Sequence, residues 1–332
     1  MFKKKLLLTF IFVLVVMHLS VGQISAQEFI GIGTGTTGGT FYPVGVAIAT
    51  IADEEVADYN FSAHSSGGSA ENLEMLRHKE IGMGVVGAVP SGNAYYGQDQ
   101  YEGRAVKNIR SVTALHPEAI QLVYRKNTGI ESLEDFIGKS VAVGPPGGGG
   151  SVYCPAIFKT LGDFTFDDID AQYLGHDDSV HAMTDRLIDA AYLGSGYPTS
   201  SVTQLYASPL EVDMIEFTDE ELAKMQEAAP YYTRIVIPAG TYPNQEEDLN
   251  LMGFKASLIV REDIDEEAVY GLLEAIYLER FEELQSRHLA LSQISLEEAV
   301  PGLVTPLHVG AVKFYQDQGI EVPDNLIPPE MK

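Results

Sequence analysis

The sequence predicts an α/β fold in which strands run into glycine-rich loops and then into helices. Three observations carry that reading. Short apolar runs alternate with amphipathic stretches over most of the chain, the pattern that builds parallel sheet with helices on its faces. Several of the apolar runs end directly in Gly or Ser. The length of 332 residues, 45% of them hydrophobic and 20% charged, suits a globular chain of about two domains at roughly 150 residues each.

Taken in order, residues 29–33, 59–64, 81–86, 120–125, 140–144 and 190–194 are the expected strands, each short and bounded by turn residues. Helices should follow their ends. Val44, Ala47, Ile48, Ile51 and Ala52 recur at helical spacing behind the first strand, Leu73 and Leu76 behind the second, and Leu272, Leu273, Ile276 and Phe281 near the end. These stripes are core candidates.

Residues 1–26 read as a secretion signal: basic Met1-Phe-Lys-Lys-Lys5, an apolar run over residues 6–17, and Ile24-Ser25-Ala26 before the expected cleavage point. The alternative, an uncleaved anchor, needs roughly 20 apolar residues, and His18 interrupts the run first. Loss of Lys3, Lys4 and Lys5 takes the net charge from −26 to −29, so the expected mature protein is soluble and periplasmic. Twenty-one Lys and Arg against 47 Asp and Glu repel a polyanion, and no nucleic-acid partner is expected. The same excess resembles the solvation strategy of halophilic proteins. The single cysteine, Cys154, cannot form an intramolecular disulfide and reads as a small buried residue opening a helix.

Three loops share one composition: Gly33-Thr-Gly-Thr-Thr-Gly-Gly-Thr40, Ser65-Ser-Gly-Gly-Ser69 and Gly144-Pro-Pro-Gly-Gly-Gly-Gly-Ser151. Glycine permits tight turns and close backbone approach, and the first turn of a following helix leaves amides unpaired at the positive end of its dipole. Such loops cradle anions. In an open α/β sheet they sit at the carboxyl ends of strands, where several can converge on one ligand. Singly, each is equally a compact connection to a capped helix, with Ser69 a candidate N-cap.

Other chemistry is weakly encoded. Gly33-Thr-Gly-Thr-Thr-Gly38 fits the GxGxxG dinucleotide pattern, with Asp53 at a tempting distance for a ribose hydroxyl. That keeps an exported oxidoreductase as the alternative, although Asp53 falls at the end of an amphipathic helix. Neither Ser195 nor Ser91 lies in a GxSxG elbow. The eight histidines are scattered, and His176 and His181, beside Asp177 and Asp178, read as surface residues and not as metal ligands. No catalytic residue, metal or cofactor is expected.

The segments Ile32-Gly-Thr-Gly-Thr-Thr-Gly-Gly-Thr-Phe-Tyr-Pro-Val-Gly45, Ser65-Ser-Gly-Gly-Ser-Ala-Glu-Asn72 and Gly138-Lys-Ser-Val-Ala-Val-Gly-Pro-Pro-Gly147 closely resemble the TAXI-type substrate-binding proteins of tripartite ATP-independent periplasmic (TRAP) transporters. Ile188-Asp-Ala-Ala-Tyr192, Gly196-Tyr-Pro-Thr199, Ile237-Pro-Ala-Gly-Thr-Tyr242 and Thr305-Pro-Leu-His-Val-Gly-Ala311 extend the likeness over nearly all of the mature chain. The resemblance implies a type II periplasmic-binding-protein fold: two α/β lobes, a cleft between them, and hinge strands near residues 118–125 and 249–260. Lobe one is then 27–118 plus 256–332, and lobe two 119–255. It further implies a monomer that captures a small organic anion, such as a dicarboxylate, a 2-oxoacid or an acidic amino acid, and delivers it to the TRAP permease membrane subunits. A receptor feeding a signalling partner instead is not separable from the sequence.

Under this resemblance the ligand lies against Thr34, Gly35, Thr36, Thr37, Gly38, Gly39 and Thr40 of the first loop and Ser65, Ser66, Gly67, Gly68 and Ser69 of the second. Pro146, Gly147, Gly148, Gly149 and Ser151 represent the third. Ser91, Gly194 and the tyrosines Tyr42, Tyr192 and Tyr197 complete the expected wall, each tyrosine offering an apolar face and a polar tip. Two departures stand out. Gly147-Gly-Gly-Gly150 replaces a Gly-Ser-Gly-Thr run and removes two hydroxyls, and Gly87-Ala-Val-Pro-Ser-Gly-Asn-Ala-Tyr-Tyr96 lacks the Gln or Asp of the usual form.

Overall fold

Two mixed β-sheets, covered by helices on both faces, organise the chain, which a computed structural model describes over residues 28–332. The expected secretion signal lies outside the described residues. In chain order the strands are β1 (Glu28–Gly33), β2 (Tyr59–His64), β3 (Met83–Gly87), β4 (Ile109–Ala119), β5 (Leu122–Arg125) and β6 (Ser140–Ala142). They continue with β7 (Asp170–Gln172), β8 (Ala190–Tyr192), β9 (Val212–Met214), β10 (Thr233–Ile237) and β11 (Leu249–Arg261). The first sheet runs β10-β11-β3-β1-β2, with β4 also on β11, and the second β7-β6-β8-β5-β9.

Burial explains the pattern. Helix Phe41–Glu55 turns Val44, Ala47, Ile48, Ile51 and Ala52 inward onto Ile30 and Ile32 of β1, together with Leu272, Leu273 and Ile276 from the C-terminal region. Each fully buried large side chain contributes about 1.5–3 kcal/mol. The opposite face of that sheet is closed by Leu73 and Leu76 of helix Ser69–Arg77 and by Ala94 and Tyr95 of helix Ala88–Tyr96. The second sheet lies between helix Gly149–Ile157 on one side and helices His176–Thr184 and Ser200–Ala207 on the other.

Several expectations are corrected. The sheets are not purely parallel: β1 pairs parallel with β2 and β3, and β6 with β7 and β8, but β4, β5, β9, β10 and β11 pair antiparallel. The strand expected over 81–86 starts only at Met83, because Gly82 turns to donate its N–H to Gly31. The strand expected over 120–125 is interrupted at Ile120 and Gln121, where the chain passes from the first sheet to the second. There Ile120 donates to Met252, and the Gln121 side chain accepts from the Tyr242 hydroxyl at 2.6 Å. Cys154 is buried, which pushes its thiol pKa up, but it sits inside helix Gly149–Ile157 and does not open it. His181 is exposed, but His176 is half-buried with its Nε2 enclosed, and is not a surface residue. Among the described residues no helix is long and apolar enough to cross a membrane.

The two long strands of the first sheet, β4 and β11, meet at Gly253. It pairs with Ala119 of β4 and Thr233 of β10, and a Cβ there would overlap the Glu118 carbonyl oxygen and crowd Ile235. Only glycine lets the strands approach this closely. Gly253→Ala is therefore expected to cost about 1–3 kcal/mol by overpacking, read as a fall of several degrees in melting temperature by circular dichroism.

Candidate functional site

Four helices begin at one cavity. The carboxyl ends of β1 and β2 feed helices Phe41–Glu55 and Ser69–Arg77, and those of β6 and β7 feed helices Gly149–Ile157 and His176–Thr184. A cavity of about 50 Å³ lies between them, lined among others by Gly39, Thr40 and Phe41, by Gly67, Gly68 and Ser69, by Gly149 and Gly150, and by His176. The loop after β8 adds Gly194 and Ser195. First-turn amides have no acceptor within their own helix, and the helix dipole makes each such end locally positive. Glycine is required at two of these positions: Gly68 has φ +114°, and at Gly150 a Cβ would overlap the Val143 carbonyl.

The walls meet across the cavity. Thr36 Oγ1 lies 2.9 Å from His176 Nδ1, and Thr37 Oγ1 donates to Asp177 at 2.9 Å. Thr40 donates its N–H to Ser195 Oγ at 2.8 Å and its hydroxyl to the Gly196 carbonyl at 3.0 Å. Thr199 Oγ1 donates to the Gly38 carbonyl at 3.2 Å, and Ala70 N–H to the Gly147 carbonyl at 3.1 Å. The loops of the first sheet are thus in hydrogen-bond contact with those of the second.

Of the residues expected at the ligand, Gly35, Thr36, Gly39, Thr40, Gly67, Gly68, Ser69, Gly149, Tyr192 and Gly194 line the cavity. The others do not, and most have a physical reason. Thr34 is fully buried and donates to the His64 carbonyl at 2.7 Å. Thr37 and Gly38 face Asp177. Ser65 is exposed, and the Ser66 hydroxyl is bound to Asn72 Oδ1 at 2.7 Å. Ser91 donates back to Ala88 within its own helix. Pro146 and Gly147 line a separate surface groove, Gly148 turns its amide onto Pro145, and Ser151 donates to Pro145 and Gly148. Tyr42 and Tyr197 are half-buried beyond the cavity wall. Ser69 is not an N-cap: Gly68 holds that position, and Ser69 Oγ accepts from Gly87 N–H at 3.1 Å.

Sequence reasoning missed Phe41, Glu118, Gly144, Pro145, Gly150, Tyr153, Leu174, His176 and Ser195 as lining residues. Gly144, Pro145 and Gly150 stand in the third glycine-rich loop, so their signal was present. The four polar ones, Glu118, Tyr153, His176 and Ser195, had none, because only the folded chain brings them to the cavity. The Tyr153 hydroxyl and His176 Nε2 are buried with no hydrogen-bond partner. Burial pushes the Tyr153 and Tyr192 hydroxyl pKa values well above 10, so both are neutral. Burial also pulls His176 down from 6.5 to about 4, against the opposing pull of Asp177. Glu118 accepts from His116 Nε2 at 2.8 Å. No lysine or arginine lines the cavity, and among the described residues no group of His, Cys, Asp or Glu is placed to hold a metal ion.

The dinucleotide alternative fails on position. Asp53 Oδ1 accepts from Phe61 N–H near the start of β2, at the far end of a helix about 22 Å long from the loop that opens it.

The two-lobed mixed α/β architecture, with its cavity at the strand ends between the lobes, is the fold of solute-binding components of import systems. By its sequence the chain belongs to the NMT1-like family, which it matches over residues 32–319. Similar solved structures include a protein of Bordetella bronchiseptica RB50 at 17% identity, covering 92% of each chain with a TM-score of 0.52. A putative L-cystine ABC transporter protein from Listeria monocytogenes matches at 15% identity over 80% of this chain and 98% of its own, TM-score 0.50. The zinc-bound ligand-binding component of an ABC-type import system from Staphylococcus aureus matches at 10% identity over 92% and 98%, TM-score 0.50. At these identities the likeness is one of fold.

His176 yields a test of the site's burial. Because its folded-state pKa is depressed to about 4 from 6.5, the unfolded chain takes up a proton between those values before the folded chain does, and stability falls as pH drops through that window. Melting temperatures across pH 4–7 are expected to fall more steeply toward acid in the native chain than in His176→Gln.

Proposed function

We propose that this chain is an extracytoplasmic solute-binding receptor of a TAXI-type TRAP transporter, secreted through the signal at residues 1–26. It captures a small organic anion by lobe closure and presents the closed form, as a monomer, to an ion-gradient-driven permease. The lobes are 27–118 plus 256–332 and 119–255, hinged near residues 118–125 and 249–260. The observation that carries this reading is the convergence of four helix N-termini from both sheets on one cavity. Each end favours an anion by about 0.3–2 kcal/mol, and together they supply the positive potential that side chains do not. The chain's overall charge of −26 does not preclude this, because salt screens surface charge beyond about 8–10 Å whereas the amides are in contact with the ligand. The cavity of about 50 Å³ is far below the roughly 300–1,000 Å³ of pockets that hold drug-sized ligands. Unpartnered polar atoms on Tyr153 and His176 fit a site that a ligand completes.

A thermal-shift panel tests the reading. A dicarboxylate, 2-oxoacid or acidic amino acid is expected to raise the melting temperature, by an amount equivalent to about 2.7 kcal/mol at a hundredfold excess over Kd, and nicotinamide cofactors are not. Stabilisation by NADH and by no organic acid would overturn it. Gly149→Ala places a Cβ 3.3 Å from the Tyr192 hydroxyl and 3.4 Å from the Tyr153 ring. It should fold normally and lose most of the ligand-induced shift.

A further inference from the structure

Glu118 is the one charged side chain among the residues lining the cavity. Its side chain is 7% exposed, and its carboxylate lies close enough to the neutral Tyr153 and Tyr192 hydroxyls to raise their pKa values after burial has done most of that. Glu118 lines the same cavity as the first residues of the four helices. Its partner is His116, whose Nε2 lies 2.8 Å from the Glu118 carboxylate and whose buried Nδ1 meets no partner. Gly196 packs against the same ring, where a Cβ would overlap it, so the histidine is fixed beneath the carboxylate. The cavity is thus polarised, with amides at the positive ends of helices on one side and a hydrogen-bonded carboxylate on the other. A purely anionic solute would satisfy the first and be repelled by the second.

We infer that Glu118, positioned by His116, selects a ligand that carries a protonated amine beside its anionic group, so that the carboxylate of an amino acid meets the helix starts and its ammonium meets Glu118. This rests on the receptor reading above and narrows it: among the small organic acids proposed there, amino acids are preferred over the 2-oxoacids that match them in every other atom. Tyr153 OH and His176 Nε2, the two unpartnered polar atoms of the cavity wall, are left to complete the hydrogen bonds of such a ligand.

The test is isothermal titration of the mature protein, freed of co-purified solute, with L-alanine, L-serine and L-glutamate and with pyruvate, hydroxypyruvate and 2-oxoglutarate. At least one amino acid is expected to bind tenfold or more tightly than its own 2-oxoacid. Glu118→Gln keeps the shape and the acceptor for His116. It is expected to weaken amino-acid binding at least tenfold, to leave or strengthen 2-oxoacid binding, and to keep the ligand-free melting temperature. Binding of 2-oxoacids as tight as that of amino acids overturns this inference while leaving the organic-anion receptor intact, and so does an unchanged preference in Glu118→Gln. Binding of neither class overturns both.

Discussion

A backbone amide in the first turn of a helix has nowhere inside the helix to donate, and this molecule brings four such turns to the same cavity. Everything around the cavity follows from keeping them close without filling the space. Short parallel strands, β1 with β2 and β6 with β7, release their chains side by side at the carboxyl ends of two sheets. Glycine at 67, 68, 149 and 150 lets the backbones themselves form the wall. A side chain at Gly149 would crowd Tyr192 and Tyr153, and one at Gly150 would strike the Val143 carbonyl behind it.

The two sheets are held at this distance from below and from above. Below, β4 and β11 run alongside each other and meet at Gly253, with Ile120 and Gln121 carrying the chain into the second sheet. Above, threonines of the first loop bind His176, Asp177, Ser195 and Gly196, and Thr199 returns a bond to Gly38. The lower contact is packing and strand pairing, which opens only with the fold. The upper contacts are single hydrogen bonds worth about 0.5–1.5 kcal/mol each, one of them, Thr37 to Asp177, exposed, so separation there costs far less. Strong pairing at the strands and weaker contacts at the loops is the division of strength that the proposed lobe closure would use.

Much of this was legible in the sequence, for a physical reason: glycine-rich strand-to-helix loops are written locally. Residues 33–40, 65–69 and 144–151 declared themselves by composition alone, as did the stripe Val44, Ala47, Ile48, Ile51 and Ala52. Which side chain of a loop faces the cavity was not legible, since it depends on what packs behind. Thr34 and Ser66 look like ligand hydroxyls in a list of residues, yet their bonds to His64 and Asn72 hold the first two loops together. His176 reads as a surface residue, yet it is half-buried against Thr36 with its Nε2 enclosed. Antiparallel β4 and β11 were equally hidden as a pair, because partners some 140 residues apart leave no mark on local periodicity.

The third loop shows how recognition can shift from side chains to backbone. Gly147-Gly-Gly-Gly150 carries no hydroxyl, and the first hydroxyl after it, on Ser151, is spent on the Pro145 and Gly148 carbonyls. What this side offers a solute from the loop is therefore amide hydrogens, which recognise negative charge but distinguish poorly between one small anion and another. Discrimination must then come from the groups that surround the bare backbone: Tyr153 and Tyr192 behind Gly149, His176 opposite Thr36, and Glu118 at the floor. Three of these four are neutral and fixed by burial, so they set shape and hydrogen bonding. Glu118 alone adds a charge, and in so small an enclosure the sign of that charge governs which solutes the surrounding amides are able to hold.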